Sequence, residues 1–355
     1  MTSPAPARPN PPAATLAAGS GGGRHAPGRR SPIRIVSGVQ PTGRLHLGNY
    51  LGAIRQFLDL QSEPAHDGFF FVADLHALTT IRNGPTLRSL ALEIATDYLA
   101  LGLDPDRVAI YRQSSLPQVT ELAWMLSTVT PMGLLRRGHS YKDKIARGLA
   151  PTHGLFAYPV LMAADILIVG AERVPVGRDQ AQHLEMTRDL ATAFNQAHGE
   201  PLLRLPEPMI LSDAALVPGI DGRKMSKSHG NVIELFAPEA DLRRSVMSII
   251  TDSTPLGDPK PTRGPLYSLL KLLTPPEQWA DTRRLFTAGG QGYGALKARL
   301  LGLVLDTFRA ARQRRQELLR DIGFVESVLR AGSERAATAA APLMAECRRA
   351  CGLGG

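Results

Sequence analysis

From Ile33 onwards, short apolar segments alternate with longer segments whose apolar residues recur at helical spacing. This alternation is typical of βαβ units built on a parallel sheet. It predicts an α/β fold with a Rossmann-like, doubly wound parallel sheet. The candidate strands are Ile33–Ser37, Phe69–Ala73, Val108–Gln113 and Val174–Val176, and the candidate helices lie near Leu47–Leu60, Thr86–Leu101, Val119–Thr128 and Gln180–Gln196.

After about Leu216 the strand signals nearly vanish and helical spacing dominates. Helices are predicted at Ala240–Ile250, Pro265–Leu273, Gly294–Leu319 and Glu326–Cys351. A chain of 355 residues is long enough for two domains. We therefore expect a Rossmann-like catalytic domain at residues 33–215 and a C-terminal all-helical domain at residues 216–355, which also carries a signature loop.

Residues 1–32 differ in composition from the rest of the chain. They contain seven prolines, five glycines, four arginines and no acidic residue. Because so few bulky apolar side chains cannot offset the entropy lost on ordering, we expect a disordered tail. An organelle transit peptide is the alternative. The tail supplies four of the nine net positive charges, and the remainder fits either a polyanionic partner or solubility.

The cysteine content and the hydropathy pattern bear on the compartment. Cys347 and Cys351 are the only cysteines, too few for a disulfide framework, and no run of 18 apolar residues occurs. We expect a cytoplasmic protein with no transmembrane helix and no metal held by its own side chains.

A glycine-rich turn follows the first predicted strand, from Gly38 to Tyr50. Where such a turn leads into a helix, free backbone N–H groups and the helix dipole favour an anion. Within the turn, His46-Leu47-Gly48-Asn49 places a side-chain proton donor, a residue without a Cβ and a second polar side chain in one helical turn. This arrangement leaves room for a nucleotide over Gly48.

A second candidate phosphate site is Lys224-Met225-Ser226-Lys227-Ser228, in a loop of small residues. Two lysines three residues apart can clamp phosphates by charge, and a flexible loop lets them arrive as charge develops. A lone lysine loop is usually only solvated. Because this loop follows the His46 segment by about 180 residues, in this order, the two together favour a nucleotide site.

These two segments resemble the signatures of the class I aminoacyl-tRNA synthetases, the first in variant form and the second letter for letter. Further segments resemble bacterial tryptophanyl-tRNA synthetases, and the resemblance covers residues 34–352. The segments are Ser37–Ala53, Asp74–Thr79, Tyr158–Leu167, Val174–Gln180 and Thr187–Ala191. The resemblance implies activation of L-tryptophan by ATP to tryptophanyl-adenylate, followed by transfer to the 3′ end of tRNA(Trp) for protein synthesis.

The resemblance also implies roles for individual residues. Lys144 would be a third phosphate-binding lysine, His46 and Asn49 would stabilise the attacked phosphate, and Lys224 and Lys227 would stabilise the departing pyrophosphate. Mg²⁺ would be carried with the ATP. Further nucleotide contacts would come from Gln40, Pro41, Thr42, Gly48, Gly177, Asp179, Val217, Met225, Ser226 and Ser228. Arg178 lies in the same segment as Asp179, at a position where the family often has an acid.

The side chains expected around the amino acid include a buried acid. Met162 and Asp165 are three residues apart on a predicted helix, so they face the same side. A carboxylate among apolar residues needs a partner, and an indole N–H, which donates and never accepts, is such a partner. The alternative is an Asp165 satisfied by backbone amides or a neighbouring helix. By resemblance, Tyr158 and Gln180 hold the α-ammonium group, and His76 faces the substrate carboxylate or is a core residue.

The segment 291–320 is rich in basic residues. They are Lys297, Arg299, Arg309, Arg312, Arg314, Arg315 and Arg320, opposed by Asp306 and Glu317. With the apolar side chains buried, the basic residues are expected to point outward, towards tRNA phosphates or anticodon bases. The resemblance implies a homodimer.

Two other functions remain open from the sequence. One is a tyrosyl-tRNA synthetase or related nucleotidyltransferase with the same two signatures, which Met162 and Asp165 disfavour. The other is a catalytically weak paralogue that senses tryptophan or binds a partner, which the intact signatures disfavour.

Overall fold

The computed structural model describes residues 32–138, 152–177, 181–210 and 217–354. The expected tail, the predicted site residues Lys144, Arg178, Asp179 and Gln180, and the expected domain boundary at residues 215–216 lie outside these ranges. The predictions made for them therefore stay predictions.

Five parallel strands form one sheet, in the order β3-β2-β1-β4-β5. Four of the strands were predicted within a few residues, and β5 was not. They are β1 (Ile33–Val39), β2 (His66–Val72), β3 (Ala109–Arg112), β4 (Arg173–Val176) and β5 (Glu207–Ile210). In β2, Phe69, Phe70, Phe71 and Val72 are all buried because helices cover both faces of the sheet.

The strand order reverses between β1 and β4. β1 pairs with β2 along its whole length, whereas its described pairing with β4 is limited to Ile35 opposite Arg173. The carboxyl ends of β1 and β4 therefore flank a crevice at the switch point, which is where α/β sheets bind nucleotides.

Helices connect and cover the strands in the first part of the described chain. The helix predicted at Leu47–Leu60 begins with α-helical α1 and ends with α-helical α2, with a π-helical turn at Tyr50–Ile54 between them. The helices of this part are α1 (Leu47–Asn49), α2 (Arg55–Ser62), α3 (Asp74–Ala77), α4 (Gly84–Leu101), α5 (Gln118–Thr128), α6 (Met132–Arg136), α7 (His153–Ile168) and α8 (Ala181–His198). None of the helices in the described ranges combines the length and the apolar character that a membrane crossing requires.

The described chain after residue 217 is mainly helical, as predicted. Its helices are α9 (Glu239–Met247), α10 (Pro265–Leu273), α11 (Pro276–Thr287), α12 (Tyr293–Thr307), α13 (Arg309–Arg320) and α14 (Ile322–Ala350). The single helix predicted at Gly294–Leu319 is divided at the buried Phe308, and α11 was not predicted. The last helix, α14, lies directly against β3: a Cβ built on Gly332 would be 2.0 Å from the carbonyl oxygen of Ile110.

Candidate active site

The first signature begins where β1 ends, at the crevice. Pro41 is buried and Gln40 and Thr42 are exposed, and the Thr42 N–H donates to the Gln40 carbonyl over 2.9 Å. Gly43 has a φ of +135°, a conformation that side chains rarely adopt. A Cβ at Gly43 would also lie 3.4 Å from Nζ of Lys227, so the ammonium group of the second signature lies beside this turn.

His46 is the N-cap of α1. Its Nδ1 accepts from the Asn49 backbone N–H at 3.3 Å, and Oδ1 of Asn49 accepts from the His46 backbone N–H at 3.1 Å. This reciprocal pair is a capping box, formed here by His and Asn. Because Oδ1 of Asn49 is engaged, its amide NH₂ remains the group that can meet a ligand.

The imidazole of His46 is neutral at pH 7. Burial, helped by the positive charge of Lys227, lowers its pKa to about 4. Since Nδ1 accepts a hydrogen bond, the proton of the neutral ring is assigned to Nε2. His46 can therefore donate a hydrogen bond through Nε2 and does not titrate near pH 7.

The second signature lies at the end of a tight hairpin. Met225 N–H donates to the Val217 carbonyl over 2.9 Å, and Gly219 N–H donates to the Arg223 carbonyl over 2.7 Å. The buried Asn231 fixes the loop that follows, because its Oδ1 accepts from Ser226 N–H at 2.8 Å and its Nδ2 donates to the Lys224 carbonyl at 3.1 Å. The hydroxyl groups of Ser226 and Ser228 are 2.9 Å apart.

The two signatures are in direct contact. The Gly48 N–H points at Sδ of Met225 at 3.3 Å, and Leu47 N–H donates to the Ile233 carbonyl over 2.9 Å. A Cβ on Gly48 would lie 3.3 Å from Cβ of Met225, so the lack of a side chain at Gly48 permits this approach. Segments that are far apart in sequence thus form one surface that carries His46, Asn49 and Lys227.

Lys227 is partly buried among charged neighbours. Burial lowers its pKa to about 8, although the carboxylates of Glu234, Asp97 and Glu93 act in the opposite direction. Arg44 lies 3.9 Å from Glu93 and 3.6 Å from Glu234. Lys227 therefore still carries its charge at pH 7, but it loses its proton at a lower pH than an ordinary lysine does, and a nearby polyanion would stabilise the charged form.

A second polar cluster surrounds the buried Asp165 on α7. Nε2 of His76 lies 2.9 Å from its Oδ2, and the Gln113 amide donates to both of its oxygens at 2.8 Å. Burial raises the pKa of the Asp165 carboxyl, whereas the hydrogen bonds with His76 and Gln113 act to lower it. A carboxylate has about four lone-pair sites, so a further donor can still be accepted. Met162 is half-buried on the same helix.

Residues at the ends of β2 and β3 hold this cluster in place. The backbone N–H groups of Leu75 and His76 donate to Oε1 of Gln113 at 3.1 and 3.3 Å. Asp74 accepts from the N–H and the hydroxyl of Ser114, at 2.9 and 2.5 Å. Gln113 was not predicted as a site residue, although its place at the end of a predicted strand is a usable signal.

Tyr158 faces the same cluster. Its ring meets that of His76 edge-on, with centroids 6.3 Å apart, and its hydroxyl lies 2.5 Å from Nε2 of His183. His183 is buried at the start of α8, three residues after Gln180 in the sequence. It was not predicted as a site residue either, and it orients the Tyr158 hydroxyl.

The family model described as tRNA synthetases class I (W and Y) matches residues 29–260 of the chain. The chain belongs to this family of class I tRNA synthetases. The predicted family, fold class and enzyme class are confirmed.

Individual relatives of this class I tRNA synthetase cover nearly all of it. The tryptophan–tRNA ligase of Fusobacterium nucleatum is 49% identical over 322 residues, which are 91% of this chain and 98% of the relative. That of Rhodopirellula baltica is 48% identical over 90% of this chain and its own full length. The crystal structure of the Campylobacter jejuni tryptophanyl-tRNA synthetase with ADP and tryptophan is 42% identical, with a TM-score of 0.84 over 90% of this chain and all of that one.

The structure corrects one expectation about this synthetase, the outward orientation of the basic residues at 291–320. Arg312 donates to the carbonyls of Leu235 and Ala237 at 2.7 Å each. Arg315 pairs with the buried Asp97 at 2.5 Å. Lys297 and Arg299 also make contacts within the chain, to Met247 and Thr282. The residues of this set that are exposed are Arg309, Arg314 and Arg320.

Proposed function

We propose that this synthetase activates L-tryptophan with ATP and transfers the tryptophanyl group to tRNA(Trp), using the site described above. The predicted activity of a tryptophan–tRNA ligase is confirmed by the close relatives. The observation that carries the residue assignment is the contact of the two signatures, which brings His46, Asn49 and Lys227 to one surface at the sheet's switch point.

In the first step the tryptophan carboxylate attacks the α-phosphate of ATP and pyrophosphate leaves. The neutral His46 and the amide of Asn49 donate to the attacked phosphate, and Lys224 and Lys227 meet the charge on the departing pyrophosphate. The chain needs no covalent intermediate for this step, because positioning and charge stabilisation suffice. Lys144 is proposed as a third cation on the same phosphates.

The rest of the nucleotide lies along the crevice. Gln40, Pro41, Thr42 and Gly48 follow β1 in the sequence, and Gly177, Arg178 and Asp179 follow β4, and the carboxyl ends of these two neighbouring strands lie at the switch point. Asp179 accepts from the ribose hydroxyls, and Val217 lies against the adenine. The serines and Met225 of the second signature line the phosphate end.

Mg²⁺ is proposed to arrive on the phosphate oxygens of ATP. His46, Asn49 and Lys227 offer imidazole, amide and ammonium groups, which suit phosphate oxygens rather than a bare cation, and the nearby carboxylates of Glu93, Glu234 and Asp97 are paired with Arg44 or Arg315. In the described residues, no group of three or more His, Cys, Asp or Glu side chains could hold a metal ion. When bound, the ion supplies positive charge to the polyphosphate.

Tryptophan is proposed to bind with its indole N–H on the carboxylate of Asp165. His76 and Gln113 orient that carboxylate, and Met162 supplies an apolar wall. Tyr158, oriented by His183, and Gln180 bind the α-ammonium group. A phenyl side chain has no donor for Asp165, so phenylalanine is rejected.

The tRNA is proposed to contact the exposed basic residues of α13. Arg309, Arg314 and Arg320 are exposed, and the first two have carboxylate partners on neighbouring turns that phosphates can replace. Replacing all three by Gln should weaken tRNA binding and reduce its dependence on salt. Unchanged filter binding across salt concentrations would contradict this role.

A homodimer is proposed through an apolar groove beside the tryptophan site. The groove has a volume of about 450 Å³ and is lined by Leu78, Trp124 and Leu161, and it reaches His76 and Tyr158. Trp124 is 71% exposed, unusual for so large an apolar side chain. Trp124→Asp should convert dimer to monomer in sedimentation equilibrium, whereas Leu256→Asp, at another exposed apolar position, should not.

ATP–pyrophosphate exchange with tryptophan, tyrosine and phenylalanine in parallel, followed by charging of tRNA, tests the proposed function. Exchange driven by tryptophan alone is expected. Exchange with tyrosine would point to the tyrosyl alternative, and tight tryptophan binding without exchange would favour a sensor. A cytoplasmic location is proposed as well, since Cys347 and Cys351 are both free thiols.

A further inference from the structure

Two arginines on α13 contact residues 235–237, in the segment that follows the second signature. Arg312 donates through Nη1 to the Leu235 carbonyl and through Nη2 to the Ala237 carbonyl, at 2.7 Å each. The guanidinium carbon of Arg315 lies 5.1 Å from the ring centroid of Phe236. Three consecutive residues are thus held from one helix face, because positions three apart in a helix point the same way.

The same segment is joined to the first signature. Leu235 N–H donates to the Leu45 carbonyl over 3.1 Å, and Leu47 N–H donates to the Ile233 carbonyl over 2.9 Å. Between these bonds, His46 lies opposite Glu234 in an antiparallel bridge. A displacement of residues 235–237 would therefore move the backbone that carries His46 relative to the loop that carries Lys227.

Arg315 also anchors α13 to α4. Arg315 lies 2.5 Å from Asp97, which is 1% exposed, and 3.8 Å from Glu93. Glu93 and Asp97 also lie within electrostatic range of Lys227. The positive groups facing these acids are Arg44, Arg315 and Lys227, and the third acid near Lys227 is Glu234. The helix that holds residues 235–237 is therefore itself fixed to α4.

We propose that Arg312 and Arg315 are positioning residues for tryptophan activation, which hold the second signature in register with the first. Neither is placed against ATP or tryptophan, and both act through residues 233–237. This inference rests on the proposed function, since it concerns the adenylation step. It gives the inward-facing arginines of α13 a task separate from tRNA binding.

Arg312 offers the sharper test, because its partners are backbone carbonyls, whereas loss of Arg315 leaves the buried Asp97 without its cation and endangers folding. Arg312→Gln should lower kcat for tryptophan-dependent exchange about tenfold, the size expected for lost charge-assisted hydrogen bonds. The dissociation constant for tryptophan should stay within twofold. Arg312→Lys should recover part of the rate. Arg284→Gln is the matched control, since Arg284 pairs with Asp281 on its own exposed helix face.

A second-site comparison separates positioning from general loss of structure. In a Lys227→Ala background, Arg312→Gln should lower exchange less than twofold, because the group it positions is gone. Hydrogen exchange at residues 224–237 should be faster in Arg312→Gln, with residues 33–39 unchanged. An equal loss of pyrophosphate exchange in both backgrounds overturns the inference. Unchanged hydrogen exchange at residues 224–237 in Arg312→Gln also overturns it. Absence of tryptophan-dependent exchange in the wild type overturns the proposed function first, and the inference with it.

Discussion

Nε2 of His76 lies 2.9 Å from Oδ2 of Asp165, and both side chains are more than 90% buried. The Gln113 amide completes the pair by donating to the same carboxylate. An acid at this depth is costly unless it is hydrogen-bonded, and here it is oriented by groups from the ends of two strands. The carboxylate is thereby fixed in direction, as recognition of a single N–H donor requires.

Replacing this carboxylate should weaken tryptophan binding. Asp165→Asn keeps the shape but exchanges one acceptor oxygen for a donor, which leaves the indole N–H facing an N–H group. We expect the dissociation constant for tryptophan, measured by calorimetry without ATP, to rise about 100-fold. If the variant melts at a lower temperature but binds tryptophan as well as the wild type, Asp165 is a structural residue.

Lys227 should matter for the chemistry and not for the amino acid. Lys227→Ala removes the cation proposed to meet the departing pyrophosphate, and loss of one such group typically lowers the rate about 10²–10³-fold. Tryptophan affinity should stay nearly constant, because the Asp165 cluster lies on other elements of the fold. Equal losses in exchange rate and tryptophan affinity would contradict the role.

The pH dependence of ATP use should report Lys227. Its pKa in the free enzyme is lowered to about 8, so the ammonium form prevails below pH 8 and is lost as pH rises through that value. Since kcat/KM reports the free enzyme, kcat/KM for ATP should be level below pH 8 and fall above it. Lys227→Arg, which stays charged, should lack this fall. An identical basic limb in Lys227→Arg would assign it to another group.

His46 should contribute without titrating near neutrality. With its pKa lowered to about 4, the ring stays neutral through pH 6–8, so no acidic limb is expected there. His46→Ala should lower the exchange rate about 10²–10³-fold, and His46→Gln, which keeps an N–H donor, should lose less. An acidic limb near pH 6.5 that disappears in His46→Gln would show that the imidazolium is the active form.

Much of the fold could be predicted because the signals are local. The Phe69–Ala73 prediction overlaps β2 (His66–Val72) because a fully buried strand is a continuous apolar run. The strand Glu207–Ile210 was missed because its strand-forming side chains are limited to Met209 and Ile210, whereas β4, equally short and also with a proline, carries two valines. Helix α11 was missed because it begins at Pro275-Pro276 and is rich in charged residues. Its two buried side chains, Thr282 and Phe286, are too few to give a clear helical spacing of apolar residues.

Site residues within short sequence motifs could be predicted. Side chains whose orientation depends on partners far away in the sequence could not. Periodicity indicated that the arginines of residues 309–320 point outward, and this was wrong for Arg312 and Arg315. Their partners, Leu235 and Asp97, are 77 and 218 residues away in the sequence. Helical spacing alone reveals neither such distant partners nor the break at Phe308 that separates α12 from α13.

Because α14 lies so close to the sheet, any side chain at Gly332 should destabilise the protein. A Cβ at this position would lie 2.0 Å from the Ile110 carbonyl oxygen, in the backbone of β3, which cannot yield as a side chain can. Gly332→Ala should therefore lower the free energy of unfolding by about 3 kcal/mol, the upper part of the usual range for overpacking. Gly302→Ala is the matched control, because Gly302 also lies within a helix and its Cβ would meet nothing within 4 Å. This control should raise the free energy of unfolding by up to about 1 kcal/mol, since alanine is the better helix former. Equal effects of the two substitutions in urea unfolding would contradict the close contact between α14 and β3.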